Sequence, residues 1–459
     1  MSMSETSNIK KTKNTVDLTE GTIWKKLLLF FIPIAIGTLL QQLYNAVDSI
    51  IVGRFVGTSA LAAVGGSSSI MTQIAVNLFV ALASGAAVVI AQRFGAHDKR
   101  ITQAAVGTAV TSFFLMGVII AIAMFFLARP ILVALNTPAE TVDQSLLYCR
   151  IYFAGSIFMV IFNIGSAILR AVGNSTKPLI YLVISCLSNI ALDLLFVLAF
   201  GMGVAGVALA TIIAQAISCV FIILDLTRTN EIYKLEKSNL KINFTLFKQM
   251  MKIGVPSCIQ SSMYGISNLI ITISVNSLGT VTVASWAMSG KIDGVYWAIS
   301  EAFGVAIMNF VAQNYGAKKL DRIKKGSKVG IIVFMIITVA LSVILLLVAR
   351  PMLRLFTTDQ AVRDTTWKVI TYFVPVYFTW SIIEALSGIL RGLGDTIVPA
   401  IILALGVCAV RIIWVFTVFK LYPTLFVISM SYPLSWVITD AALIIYYCIK
   451  RKKLYATMT

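Results

Sequence analysis

Histidine is almost missing from this chain: there is one in 459 residues, His97, in a charged stretch. That excludes any centre built on several imidazoles, such as a histidine zinc site. Cysteine is sparse as well. The six (149, 186, 219, 258, 408 and 448) are scattered, mostly inside apolar runs, with no Cys-x-x-Cys pair. They read as small core residues, not as a disulfide framework or a metal site. Charged residues make up only 12% of the chain, about half the share usual in soluble domains. No Walker loop, His-Glu-x-x-His or Gly-x-Ser-x-Gly occurs, so nucleotide-driven and hydrolytic chemistry have no support and no enzyme is expected. The one Gly-x-Gly-x-x-Gly match, GMGVAG at 201–206, falls in a turn between two apolar runs rather than after a strand, and predicts no dinucleotide site.

What is present is apolar. Hydrophobic residues are 59% of the sequence and mean hydropathy is +0.92, more than a water-soluble fold of this size can bury, so the expected solvent is a bilayer. Runs long enough to cross a ~30 Å core fall near 27–52, 59–91, 103–127, 146–169, 178–200 and 204–225, then 248–277, 281–313, 327–349, 368–390, 396–419 and 424–449. Twelve crossings put both termini on one side. The net charge of +18 lies in short clusters between runs (HDKR at 97–100, KKLDRIKKGSK at 318–328, KRKK at 450–453), so it predicts topology and contact with anionic lipid, not nucleic acid. About 27 of the Lys and Arg residues lie on the side of the termini and about 8 on the other, which predicts cytoplasmic termini. The polar, lysine-bearing start and the long run after it predict an uncleaved multi-pass protein of a prokaryotic inner (plasma) membrane.

The two sets of six are one unit twice. IAQRFGAHDKRI (90–101) answers VAQNYGAKKLDRI (311–323), ARPILVAL (128–135) answers ARPMLRLF (349–356), and ILRAVGNSTKP (168–178) answers ILRGLGDTIVP (389–399), at an offset of 220–223. Even-numbered halves repeat in parallel, about an axis along the membrane normal. The expected fold is an all-α polytopic membrane protein of twelve transmembrane helices in two pseudo-symmetric six-helix lobes. Residues 1–26 form an N-terminal tail, 27–226 the first lobe, 227–247 a linker, 248–449 the second lobe and 450–459 a C-terminal tail.

Polar residues inside such helices are costly and mark function. Gln41, Asn45 and Asp48 recur at i, i+4, i+7, with Tyr44 four before Asp48, so all share one helix face. The fifth run repeats the pattern with Ser185, Asn189 and Asp193, and the sixth has Thr211 and Gln215. Counting ~1.5 Å per residue from the loops puts Asp48, Asp193 and Thr211 within roughly 10 Å of the outer edge, with Asn189 a turn deeper and Asn163 near mid-depth. Such a layer can hold a Na⁺ through Asp48, Asn189, Asp193 and Thr211, or share a proton. The second lobe lacks these acids: Asp48 is answered by Ile270 or Ile271, Asp193 by Trp414 and Asn163 by Glu384. It has its own, Asp293, Glu301, Glu384 and Asp440, with Lys291 and Arg411 as the only deep cations. Pairing of those cations with the acids competes with a substrate role.

At these residues the chain resembles the multidrug and toxic compound extrusion (MATE) family, from LFFIPIAIGTLLQQLYNAVDSIIVGRFVGTSALAAVG through both AQ…GA loops to the last run. It is most similar to the prokaryotic, DNA-damage-inducible F-like branch. The resemblance implies export of cationic amphipathic compounds driven by H⁺ or Na⁺, with no cofactor and no obligate protein partner. It points to Asp48, Asn163, Asn189, Asp193 and Thr211 as the cation or proton site, and to bending of the first helix, here at Pro33 and Gly37. A flat cation is expected in a cavity lined by Gln41, Tyr44, Asn45, Tyr264, Met288, Trp297, Glu301, Tyr377 and Glu384. The rival within this architecture is a lipid-linked oligosaccharide flippase, which would line its cavity with basic residues.

Overall fold

The computed structural model describes residues 15–458, with side chains through 453. The expected tails therefore lie partly outside the described residues. Among these, every regular element is a helix. Eleven helices are long and apolar enough to cross a bilayer: α1 Ile23–Val56, α2 Thr58–Gly95, α3 Lys99–Ala134, α5 Thr176–Ala199, α6 Gly203–Arg228, α7 Phe244–Asn276, α8 Thr280–Gly316, α9 Leu320–Phe356, α10 Gln360–Gly392, α11 Ile397–Phe419 and α12 Leu425–Lys453. The twelfth crossing, α4, is a pair, Ala139–Ala154 and Ser156–Ala171, bent by 50° at Gly155. The sequence run 146–169 hides that bend, because Gly155 interrupts the helix and not the hydrophobicity. A Cβ there would lie 2.4 Å from Ile212 Cγ1, so glycine is what lets α4 turn against α6.

Short polar stretches end one helix and start the next. Asp98 Oδ1 accepts from Ile101 N at 3.0 Å, Asn243 Oδ1 from Thr245 N and Leu246 N, and Asp359 Oδ1 from Ala361 N and Val362 N, each satisfying amides at a helix start. His97 and Lys318, one repeat apart, both take the left-handed conformation, at φ 55° and 56°. The lone histidine is thus a helix terminator. The stretch after α6 is no loose tether: Tyr233 and Leu235 are buried, and the Lys241 carbonyl accepts from Thr108 Oγ1 on α3 at 3.3 Å.

Two large cores form, but their membership crosses between the halves. Leu27, Phe30, Phe31, Ile34 and Ala35, at the start of α1, pack into the cluster built from α8–α12. Reciprocally, Leu246, Met250 and Ile253, at the start of α7, pack into the cluster built from α2–α6. Pro33 lies within this embedded part of α1, which continues unbroken to Ile51.

At the end carrying the described part of the N-terminal segment and the α6–α7 connection, the halves touch closely. A Cβ on Gly85 would lie 2.3 Å from Met250 O, one on Gly95 2.0 Å from Gln313 O, and one on Gly316 1.8 Å from Gln92 O. Gln92 Nε2 donates to Gly392 O at 3.0 Å, and its repeat partner Gln313 Nε2 donates to Ala171 O at 2.8 Å. The repeated AQ…GA and ILR motifs therefore clasp each other across the pseudo-twofold axis. Residues 16–21 strap the same end: Val16 N donates to Gly173 O, while Asn314, Lys319 and Arg322 donate to carbonyls of Leu18 to Gly21. Toward the opposite end α1 exposes two stripes, apolar Leu43 and Ile50 on one side, polar Gln41 and Asn45 on the other. An apolar stripe suits lipid and a polar one a water-filled cleft, so the halves are splayed there.

Candidate functional site

The polar layer assembles where α1, α4, α5 and α6 meet. Asp193 is fully buried, Asn189 and Thr211 nearly so, and Asp48 partly. The Asp48 and Asp193 carboxyls face each other at hydrogen-bonding range. With its amide turned to suit both neighbours, Asn189 donates to Asp193 Oδ2 at 2.9 Å, and its oxygen accepts from Thr211 N at 3.2 Å. Thr211 Oγ1 donates to Val207 O at 3.0 Å, which leaves its lone pairs for the Tyr44 hydroxyl. Oδ1 of Asp48 and Oδ1 of Asp193 are buried without a partner. Two facing acceptors need a proton or a cation between them, since no Lys or Arg stands against either among the described residues.

Local helix geometry helps. The helix widens into a π turn at Val52–Val56, just after Asp48, and again at Leu195–Ala199, just after Asp193. Each frees backbone groups at the splayed end, a deviation that recurs at functional sites. Sequence reasoning missed these turns, and it missed Tyr148 and Tyr152 on α4. These rings stack at 6.0 Å; Tyr148 lies beside Asp48 and Tyr152 reaches Gln215. Their i, i+4 spacing was the available signal. Asn163 stays apart from the pair: it spends its amide on Met159 O, 2.9 Å away in its own helix.

The residues expected to line one cavity divide among three places. Tyr264, Trp297 and Tyr377 line a 480 Å³ cavity within the second half, whose wall includes four of the chain's seven tryptophans. Gln41, Tyr44 and Asn45 belong to the cleft-facing stripe of α1. Glu301 and Glu384 belong to a third group, in which Glu301 is accessible yet lies near Arg170 of α4 and Arg391 of α10. Met288 is half-buried against the second core and lines none of these. Two of the charge expectations need correcting. Arg170 and Arg391 join Arg411 as interior cations, because the ILR motifs sit at the lobe interface rather than in loops. Lys291 and Arg411 form no ion pair with an acid among the described residues, and Lys291 is exposed.

Comparison with known proteins agrees with the duplicated architecture. The chain is 26% identical over 398 residues to the probable multidrug resistance protein YoeA of Bacillus subtilis, covering 85% of this chain and 86% of that protein. It is 24% identical over 345 residues to the multidrug export protein MepA of Staphylococcus haemolyticus, covering 75% of each. A solved structure of a MATE in the bent conformation overlays with a TM-score of 0.90 at 22% identity, over 98% of this chain and 100% of that one. An outward-facing multidrug resistance MATE family transporter gives 0.88 at 21%, over 97% and 100%. At such identities the overlays show the fold. The MatE family model matches twice, at residues 33–195 and 256–417, once in each half. The chain therefore belongs to the MatE family and is a MATE-type membrane transporter.

Proposed function

We propose that this transporter is a secondary active multidrug exporter that expels cationic amphipathic compounds in exchange for H⁺ or Na⁺. The observation that carries this reading is the Asp48–Asp193 pair, buried face to face with no basic partner. The multidrug names of the relatives support the cargo. The proposed division is a first lobe at 27–226, a linker at 227–247, a second lobe at 248–449, and tails at 1–26 and 450–459. The bias of Lys and Arg toward the clasped end supports cytoplasmic termini in a prokaryotic plasma membrane. In that orientation the splayed end opens outward and exposes Gln41 and Asn45 to the exterior.

A cation arriving from outside is held by Asp48, Asp193, Asn189 and Thr211, or a proton settles between the two carboxyls; Asn163, whose amide is spent on Met159 O, serves the path rather than the pair. The four oxygen-bearing side chains suit hard Na⁺ as well as a proton. Neutralisation removes the charge that attracts a cationic cargo in the cleft beside Tyr44. It also lowers the cost of burying the α1 face, and the proposed bend of α1 lies between Pro33 and Gly37. Cation and cargo drive the cycle only through their different affinities for the two conformations. Purified Asp48→Asn in proteoliposomes is expected to fold and yet to lose efflux of a cationic dye under both an H⁺ and a Na⁺ gradient. Dye efflux at the wild-type rate would overturn the reading, and whichever gradient drives the wild type identifies the coupling ion.

A further inference from the structure

Among the contacts that join the halves at the clasped end, one comes from outside both helix bundles. Residues 16–21 precede α1 and reach both halves, but very unequally. On the second half the Leu18 carbonyl accepts from Asn314 Nδ2 at 3.1 Å and Arg322 Nε at 3.2 Å, and the Thr19 carbonyl from Lys319 Nζ at 3.0 Å. The Glu20 and Gly21 carbonyls accept from Arg322 Nη2 and Nη1 at 2.9 and 2.7 Å. All of these donors except Asn314 are charged, which makes the bonds the stronger kind. Leu18 is fully buried in the second core, the same core that takes the start of α1. On the first half there is a single bond, Val16 N to Gly173 O at 2.9 Å, in the turn between α4 and α5.

That turn is shaped for the segment. Gly173 has φ +88°, and a Cβ on it would lie 2.4 Å from Val16 O, so the crossing backbone seats on a bare Cα. Its repeat partner Gly394 has nearly the same conformation, at φ +82°. Each glycine also has the glutamine of an AQ motif beside it: a Cβ on Gly173 would lie 3.6 Å from Gln313 Nε2, and one on Gly394 3.6 Å from Gln92 Nε2. Among the described residues nothing crosses Gly394 closer than that glutamine. The repeat therefore builds the clasp twice, and the crossing segment is added once, over the first half only.

A segment tied firmly to one body and by a single bond to the other travels with the first and lets go of the second. We infer that residues 16–21 are a latch: carried by the second half, it catches the first at Gly173, and the Val16–Gly173 bond parts when the clasped end opens. The latch adds the worth of one backbone hydrogen bond, about 2- to 12-fold in an equilibrium constant, to the shut state of that end. Neither cation nor cargo supplies this bias, so it sets the populations before any ligand binds. The exporter reading enters only in saying that the end it shuts faces the cytoplasm.

Ala171 can report the opening. It is fully buried, and its carbonyl accepts from Gln313 Nε2 across the halves, so a cysteine placed there reacts with a maleimide only while that end is open. Labelling of Ala171→Cys in the intact chain in lipid nanodiscs is followed at residue 171 by mass spectrometry, with no gradient and no cargo. Adding Val16→Pro, which lacks the donor N–H, should speed labelling about 2- to 12-fold. Adding Val16→Ile, which keeps the N–H, should leave the parent rate unchanged. An unchanged rate in Val16→Pro, or an equal rise in Val16→Ile, overturns the latch. If Val16→Pro does not fold, deletion of residues 2–17 decides: labelling should again speed up at least about twofold, and an unchanged rate overturns the proposal. Efflux by Asp48→Asn bears on the carboxyl pair and leaves this comparison untouched, so the two readings fail separately.

Discussion

A single methyl group at Gly95 tests whether the clasp holds the two halves together. Its Cβ would lie 2.0 Å from the Gln313 carbonyl oxygen, where ordinary contact begins at 3.4 Å. The facing helices must therefore part by about 1.4 Å, since backbone cannot step aside as a flexible side chain does. The hydrogen bonds from Gln92 to Gly392 and from Gln313 to Ala171, now 3.0 and 2.8 Å, then stretch beyond bonding range. Each is worth about 0.5–1.5 kcal/mol, and a buried group left unpaired adds about 1–3. Gly95→Ala should thus disfavour the clasped arrangement by about 2–6 kcal/mol, a shift of roughly 30- to 20,000-fold in a two-state equilibrium. The gain in helix propensity from alanine is common to both arrangements and cancels. Spin labels at Arg100→Cys and Asp321→Cys, exposed starts of α3 and α9, would report the change in a background where exposed Cys448 is serine. The variant should show a longer inter-label distance as its major population. A distance distribution identical to that of the parent would refute the claim that this contact governs closure.

Two further substitutions probe the site and the connection. Thr211→Val keeps shape but removes the oxygen that the Tyr44 hydroxyl meets; the half-saturating concentration of the driving cation should rise about 5- to 150-fold, from a loss of about 1–3 kcal/mol, with little change in thermal stability. Gly107→Ala would set a Cβ 1.9 Å from Asn239 O, dislodging the α6–α7 connection from α3, and should speed tryptic cleavage at Lys237 and Lys241 without altering dye binding.

Much of the architecture was legible because a bilayer imposes it. Apolar run length fixes the number of crossings, loop parity fixes which ends coincide, and two acids counted from their loops fall at one depth. Side-chain meetings were harder. Asn163 looked like a member of the polar layer, yet its amide turns back to its own helix, a choice that depends on a rotamer and not on spacing. Tyr148 and Tyr152 were hidden among the many aromatics that a membrane chain uses for packing. The AQ…GA motif was visible as a repeat signature, but its glycines and glutamines gained meaning only when the second copy stood opposite the first. Hydrophobic periodicity shows that a helix face seeks a partner and is silent about which one. That is why the exchange of α1 and α7 between the cores could not be read from the chain.

That exchange bears on how the protein is made. The start of α1 leaves the ribosome first, but the residues that enclose Phe30, Phe31 and Ile34, such as Phe303, Ile307 and Phe334, follow some 270 or more positions later. Until then this segment must wait in lipid, with its apolar side unclaimed by protein. The first half cannot reach its final packing during its own synthesis, and the two halves complete each other only at the end of translation. Halves expressed as separate polypeptides should therefore be degraded singly and rescued together, as two pieces that share their opening helices.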